Sequence, residues 1–531
     1  MIEEFVVDEL LTESAFPHPV THLIKRETHI SWVILTGAFA YKIKKAVRLD
    51  FIDCTALSTR QRMCEQEVAL NRRLAPDLYL GVVAITRTAG ALSLGGSGEI
   101  VEYAVKMQEF PESQELASLL DHDAVSTAEI SDLARCLGAF HERAPVAAAE
   151  PGFALTERLC SAVLGNLGSL LANLHGTASL AQLNGLIDWT HDAVHTLLPV
   201  LRQREREGLI REGHGDLHSR NIVRWRERLV PFDCLEFDPA LRWIDVMNDI
   251  SFLFMDLIAH DRADLAFAFL NGHLEVTGDY AGLRLLRFYA IYRALVRAKV
   301  DSISAGGSPA RHAAMQQRMC GRVATAVRLM NRPAPVMFMM HGPSGSGKSW
   351  LSERLAAPLE AVRIRSDVER KRLAGLAAPT RIEAAPRQGI YDREFSRRTY
   401  AHLLSCAEGS LEGGISIIVD AAFLDASERR TFEEFADRRG IPVVIVSCGA
   451  DPKVLTERIK VRQAVSSGAS DAGPAILAWQ LKNADALTPA ERTRSVFVNT
   501  EAQAATAAAL LDIGRHCEQV RHGGFRSDRP G

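Results

Sequence analysis

Gly342-Pro343-Ser344-Gly345-Ser346-Gly347-Lys348-Ser349 fills the pattern G-x-x-x-x-G-K-[ST] at every fixed position. An apolar run, 336–340, precedes it, and a helix-prone run, 350–355, follows it. The octapeptide is therefore expected to join a strand to a helix, which is where its composition makes physical sense. Glycines let backbone amides curl around phosphate oxygens. The helix N-terminus adds positive partial charge. Lys348 is placed to reach the β- and γ-phosphates, and Ser349 to ligate Mg²⁺. Gly342, Pro343, Ser344, Gly345, Ser346, Gly347, Lys348 and Ser349 are thus the expected nucleotide contacts. A Gly-Ser turn with a chance lysine would explain the composition but not the flanking elements.

Working outward, apolar runs at 336–340, 415–419 and 443–447 alternate with helical patterns, which predicts an α/β domain with a mostly parallel sheet. Ile417-Ile418-Val419-Asp420 is a strand ending in a carboxylate, the form a magnesium-binding Asp requires; the bland alternative is a strand cap. Arg363 to Arg370 reads as a strand and a helix start, with Ser366 and Glu369 at capping-box spacing. Arg458 and Arg462, four apart on a predicted helix, share a face.

At 531 residues the chain exceeds one ordinary core, since domains run to roughly 100–200 residues. Its 47% hydrophobic and 24% charged content is that of a soluble globular protein. A net charge of −3 argues against a coat for nucleic acid. Nine cysteines without a C-x-x-C pair read as reduced thiols in the cytoplasm. The acidic start, Met1-Ile2-Glu3-Glu4, does not have the form of a secretory signal. No uncharged apolar stretch reaches about 18 residues, so no membrane span is expected. Pro333 and Pro335 stop a helical run and open the strand before the P-loop. The expected domains are 1–330 (N-lobe about 20–108, C-lobe about 109–330) and 331–520, with a disordered tail at 521–531. Residues 305–309 are expected to break two helices.

A second signal lies in the first domain. His214-Gly215-Asp216-Leu217-His218-Ser219-Arg220-Asn221 has the form H-G-D-x-x-x-x-N, and Pro231-Phe232-Asp233 follows. This is the order of a kinase catalytic loop and its metal-binding Asp. Asp216 would orient an acceptor hydroxyl and take its proton, while Asn221 and Asp233 would hold Mg²⁺. Phe39-Ala40-Tyr41-Lys42 has the form of the kinase strand whose lysine binds phosphate. Lys42 is favoured, and Lys44 shares its side of the strand. Met63, Glu67, Leu70 and Leu74 fall on one helical stripe, so Glu67 would sit among apolar groups and need a cation, Lys42. Glu65 lies on another face. Arg293 and Arg297 share a helical face, for which a solvated surface is the favoured reading.

These residues, with Phe16-Pro17-His18-Pro19-Val20, Thr28 to Val33 and Trp243 to Val246, resemble the aminoglycoside phosphotransferase-like kinase family in its bacterial branch fused to a P-loop kinase. The second domain is similar to the gluconate-kinase and zeta-toxin-like group. The resemblance covers nearly the whole chain and implies an α+β bilobal protein-kinase-like domain followed by an α/β P-loop domain. It implies that Asp367 binds or deprotonates an acceptor hydroxyl and that Arg458 and Arg462 are lid arginines neutralising the transferring phosphoryl group. The expected activity is a bifunctional, ATP- and Mg²⁺-dependent small-molecule kinase acting on an unidentified hydroxyl acceptor. There is one departure: the segment Lys25-Arg26-Glu27-Thr28, where the nucleotide-covering loop belongs, contains no glycine. It leaves open an ATP-sensing regulator whose first domain is weakly active. A nucleic-acid 5′-end kinase would call for a basic stripe interleaved with aromatics, which the sequence does not show.

Overall fold

The computed structural model describes residues 4–49, 52–147, 155–173, 177–303, 309–382, 388–465, 471–501 and 505–522. The expected interhelical break at 305–308 and the tail beyond 522 lie outside them. By packing, the chain forms two compact units, Met1–Val163 with Leu198–Asp256, and Leu164–Leu197 with Leu257–Gly531. The expected division at 330/331 falls inside the second unit, between its helices and its sheet. No described helix is long and apolar enough to cross a membrane.

The first unit opens with a six-stranded antiparallel sheet in the order Ile24–Glu27, Ser31–Leu35, Phe39–Lys44, Glu99–Gln108, Tyr79–Thr88, Ala91–Leu94. Period-two alternation gives it two buried faces. Trp32, Ile34, Tyr41 and Ile43 pack with Val7 and Leu10 on one side. Ala40, Val105 and Met107 pack against Cys64 and Val68 of the helix Leu57–Asn71 on the other. Phe39–Lys44 is bonded on both edges, so its lysines are not surface groups of an edge strand. Most of the rest is helical. Between the helices run the strand Ile210–Glu212, a loop, and the hairpin Ile222–Trp225/Arg228–Pro231.

The second unit is built on five parallel strands in the order Ala361–Arg365, Ser416–Asp420, Met337–His341, Val443–Gly449, Ser495–Asn499. Helices cover both faces, which is why the strands are continuous apolar runs; every residue of Ser416–Asp420 is buried. Phe338, Met340, Ile418, Val444 and Val446 join Leu351 and Leu355 in one core. The edge strand Ala361–Arg365 is closed by the helix Ala263–Thr277. Asn271 Oδ1 accepts from the Arg363 amide at 2.6 Å, and its Nδ2 donates to the Ala361 carbonyl at 3.2 Å. A side-chain amide thus satisfies part of an edge that would otherwise invite another strand.

Two expectations are corrected here. The helix Ser366–Leu373 begins without a side-chain cap, and Glu369 does not close a capping box: it is buried and engaged by Arg372 and His402. Arg293 does not lie on a solvated face; it is buried, its guanidinium 5.7 Å from the centroid of the Tyr292 ring.

Candidate functional site

In the first unit, Lys42 Nζ lies 2.9 Å from Glu67 Oε1 and 2.5 Å from Asp233 Oδ1, so the expected lysine–glutamate pair forms and also reaches the expected metal-binding Asp. Lys44 does not stand aside. Its Nζ is 2.5 Å from Glu67 Oε2 and also bonds Glu236, all three side chains being inaccessible or nearly so. Burial alone would neutralise this carboxylate, but the two lysines outweigh it and hold the Glu67 pKa below the usual range. Glu236 goes the other way, its burial and the neighbouring Glu67 raising its pKa. Glu65 is exposed, as expected.

The catalytic-type loop is hung on a buried aspartate. Asp249 Oδ2 accepts from the His214 amide at 2.7 Å, Oδ1 from the Gly215 amide at 2.9 Å, and His141 Nε2 lies 3.0 Å from Oδ2. Gly215 has φ +87, and a Cβ there would meet the Leu241 carbonyl oxygen at 2.7 Å, so only glycine fits the turn before Asp216. Asn221 Nδ2 donates to Asp216 Oδ2 and to the Asp216 carbonyl, each at 3.0 Å. Among the described residues, the Asn221 amide oxygen is left without a hydrogen bond. Asp233 has φ +60, a strained value for a side-chain-bearing residue, and its amide donates to Tyr79 Oη at 3.1 Å. A cavity of about 370 Å³ reaches Lys42 and Asp233 of this set, with Val33, Leu35, Ala40 and Met107 as apolar lining and Arg26 as further charged lining; Glu67, Asp216 and Asn221 do not line it. Where a glycine-rich loop was missing from the sequence, the chain makes a tight turn: the Thr28 amide donates to the Ser31 carbonyl at 2.8 Å. Arg26 pairs with Glu112 at 2.9 Å.

In the second unit, the strand Met337–His341 runs into the motif, and the helix Lys348–Ala356 leaves it. Gly345 has φ +82, and a Cβ there would sit 2.7 Å from the Leu455 carbonyl oxygen. Lys348 Nζ donates to the Pro343 carbonyl at 2.8 Å. Burial lowers the Lys348 pKa, so an anion brought beside it would be strongly favoured. Asp420 ends its strand as expected, but its Oδ2 accepts from Ser352 Oγ at 3.0 Å, one turn beyond Ser349. Ser349 itself is exposed at the pocket.

One pocket of about 380 Å³ gathers Ser344, Gly345, Gly347, Lys348 and Ser349 with Asp367, Asp420, Arg458 and Arg462. Gly342, Pro343 and Ser346 belong to the same turn without lining it; Gly342 and Ser346 are buried. The two arginines separate. Arg458 donates to the Thr500 carbonyl at 2.6 Å and the Gly345 carbonyl at 3.3 Å, bracing the glycine turn. Arg462 donates to the Ala472 carbonyl at 2.8 Å and stands near the charges of Asp367 and Asp471. Asp367 is half-buried, and among the described residues its carboxylate has no hydrogen bond or ion pair.

Sequence reading missed several groups here. Tyr391 and Tyr400 line the pocket. Arg370, nearly buried, bonds Ser396 Oγ at 3.1 Å and the Ile390 carbonyl at 2.9 Å. Burial pushes the Glu428 pKa up to about 7, with Tyr400 hydrogen-bonded to it. Glu236 left a trace, an acid three residues after Asp233 in an apolar run. Asp249, Ser352 and Glu428 left none, because they act through contacts distant in the chain.

The family model described as AAA domain matches residues 337–487. The chain is 30% identical over 477 residues to the uncharacterized protein Rv2004c of Mycobacterium tuberculosis, covering 87% of this chain and 90% of that one. The same values hold for an uncharacterized protein of Mycobacterium bovis. Among solved structures, a gluconokinase from Sinorhizobium meliloti is similar over 35% of this chain and 98% of its own, at 21% identity and TM-score 0.25. A choline/ethanolamine kinase family protein from Mesorhizobium loti is similar over 62% and 95%, at 14% identity and TM-score 0.36. At this identity along nine-tenths of the relatives' length, the chain belongs to the family of these mycobacterial proteins.

Proposed function

We propose that the chain is an ATP-dependent phosphotransferase with two ATP·Mg²⁺ sites, one in each of two functional domains, 1–330 and 331–520, each passing the γ-phosphoryl group to a small-molecule hydroxyl. The observation that carries this reading is the pocket in which the glycine turn and Lys348 share one space with Asp367. Asp367 holds the acceptor hydroxyl and takes its proton as the oxygen bonds to the γ-phosphorus and the bridging P–O bond to ADP breaks. Lys348 and Arg462 neutralise the charge that moves through this step. In the first unit Asp216 takes the proton, Lys42 binds phosphate, and Glu67 keeps Lys42 in place.

The donor sets fit magnesium, which prefers hard oxygens. The second unit offers the Asp420 carboxylate and the exposed Ser349 hydroxyl; the first offers the free amide oxygen of Asn221 and the Asp233 carboxylate. When bound, the ion neutralises phosphate charge at these residues.

The test is ADP release by wild type, Lys348→Ala, Asp367→Asn and Asp216→Ala across sugars, aminoglycosides, nucleosides and polyols. Acceptor-stimulated turnover lost in Lys348→Ala and Asp367→Asn alone assigns that acceptor to the second site. Loss in Asp216→Ala alone assigns it to the first.

The tight, glycine-free turn at Thr28–Ser31 favours a second reading, an ATP-sensing regulator with a weakly active first unit. Nucleotide binding that Lys348→Ala abolishes, with no acceptor raising turnover, would select it.

A further inference from the structure

Away from both pockets, the second unit brings three ligand-type side chains together on two helices, Ser366–Leu373 and Arg393–Glu412. Glu369 is inaccessible, and its Oε2 lies 3.0 Å from His402 Nε2. Cys406 Sγ lies 3.5 Å from that same nitrogen. His402 and Cys406 are four apart, so they share a helical face. All three donor atoms lie within 4.8 Å of one another.

An ion pair between Glu369 and His402 accounts for two of these groups. A single proton on Nε2 can serve the carboxylate, but Cys406 Sγ is bonded to that same nitrogen, so one ring atom is shared by two partners. A cation at that point satisfies all three. Thiolate, imidazole and carboxylate together are the ligand mix of zinc-class ions and unlike that of Mg²⁺ or Ca²⁺. Metal–ligand arms of about 2.0–2.3 Å at tetrahedral angles separate neighbouring donors by roughly 3.4–3.6 Å. The Cys406–His402 spacing already meets this, the Glu369–His402 spacing has to open by a few tenths of an ångström, and the Glu369 and Cys406 donors, within 4.8 Å of each other, have to converge on the same point. Arg372 bonds Glu369 through the other oxygen, Oε1, so Oε2 stays available while the carboxylate is held in orientation. His402 is 31% exposed, which leaves one side open for entry and for a water as fourth ligand.

We propose that Glu369, His402 and Cys406 form a zinc-class metal site. Binding converts the Cys406 thiol to a thiolate and releases its proton to solvent. The ion ties the helix that carries Asp367 and Arg370 to the helix Arg393–Glu412. This inference stands apart from the phosphotransfer reading and fails or holds without it.

The experiment uses the full chain, stripped with a chelator and titrated with Co²⁺ alone. The expected result is a saturable thiolate-to-cobalt charge-transfer band that Zn²⁺ bleaches and excess Mg²⁺ does not. Cys406→Ser removes the band. His402→Ala, at a half-exposed position that tolerates truncation, weakens binding by at least about tenfold. The proposal is overturned if wild type gives no such band, or if the band persists at full strength in Cys406→Ser, which would place the thiolate elsewhere.

Discussion

Lys44 Nζ lies 2.5 Å from Glu67 Oε2, while the other oxygen of that carboxylate meets Lys42 at 2.9 Å. One buried acid therefore serves two cations. Lys44 is wholly enclosed, whereas Lys42 borders the cavity, so the roles divide. Lys44→Met leaves Glu236 without its buried cation and Glu67 with half its charge partners. It is expected to cost about 3–5 kcal/mol in urea unfolding. Adding Glu236→Leu should recover part of that loss. Lys42→Met should cost less stability and abolish the Asp216-dependent turnover.

Ser352 and Ser349 invite a separation. Ser352→Ala removes the hydroxyl that bonds Asp420 and should cost about 1–2 kcal/mol of stability, with the Mg²⁺ requirement of ADP release unchanged. Ser349→Ala should leave the unfolding midpoint in place and raise the Mg²⁺ concentration needed for half-maximal turnover. Equal effects from the two variants would refute this assignment.

Gly345→Ala puts a Cβ 2.7 Å from a backbone oxygen at a φ that disfavours any side chain. The expected outcome is loss of fluorescent-nucleotide binding at the second site. Asp216-dependent turnover should continue.

Glu428 supplies a pH signature. Its pKa is raised from 4.5 to about 7, so the folded chain keeps a proton that the unfolded chain gives up earlier. Its contribution is complete at low pH and is lost as pH rises from about 4.5 through 7. Glu428→Gln should therefore gain stability over wild type across that window, by on the order of 2 kcal/mol at pH 8. Parallel unfolding curves of the two proteins at pH 4.5 and 8 would check the sign.

Local chemistry explains what could be read ahead of the fold. The P-loop, the Asp216–Asn221 loop and the Asp420 strand end are contiguous stretches, so their residue types and spacing could be read together before the fold. Glu67 was legible because an acid on an apolar stripe demands a cation. Lys44 was legible only as the alternative to Lys42; that both lysines meet Glu67 was not, because a carboxylate offers two oxygens. The Ser366–Glu369 capping box misled because its spacing is local, whereas Glu369 is claimed by His402 from another helix. Asp249 holds His214 and Gly215 across some 35 residues of chain, and no short pattern announces it.

The interleaving of the two compact units bears on how the protein is made. Leu164–Leu197 leaves the ribosome before Leu198–Asp256, yet it belongs with Leu257–Gly531, which is translated last. The portions of the helices Leu155–Asn173 and Thr177–Arg206 that fall within Leu164–Leu197 can complete their packing only after Leu257–Gly531 has been made. A gene fragment starting at codon 331 would also lack Asn271, leaving the strand Ala361–Arg365 with an open edge. Such a fragment should aggregate more readily than the full chain, because the segment that covers this edge is encoded upstream of the P-loop and not beside it.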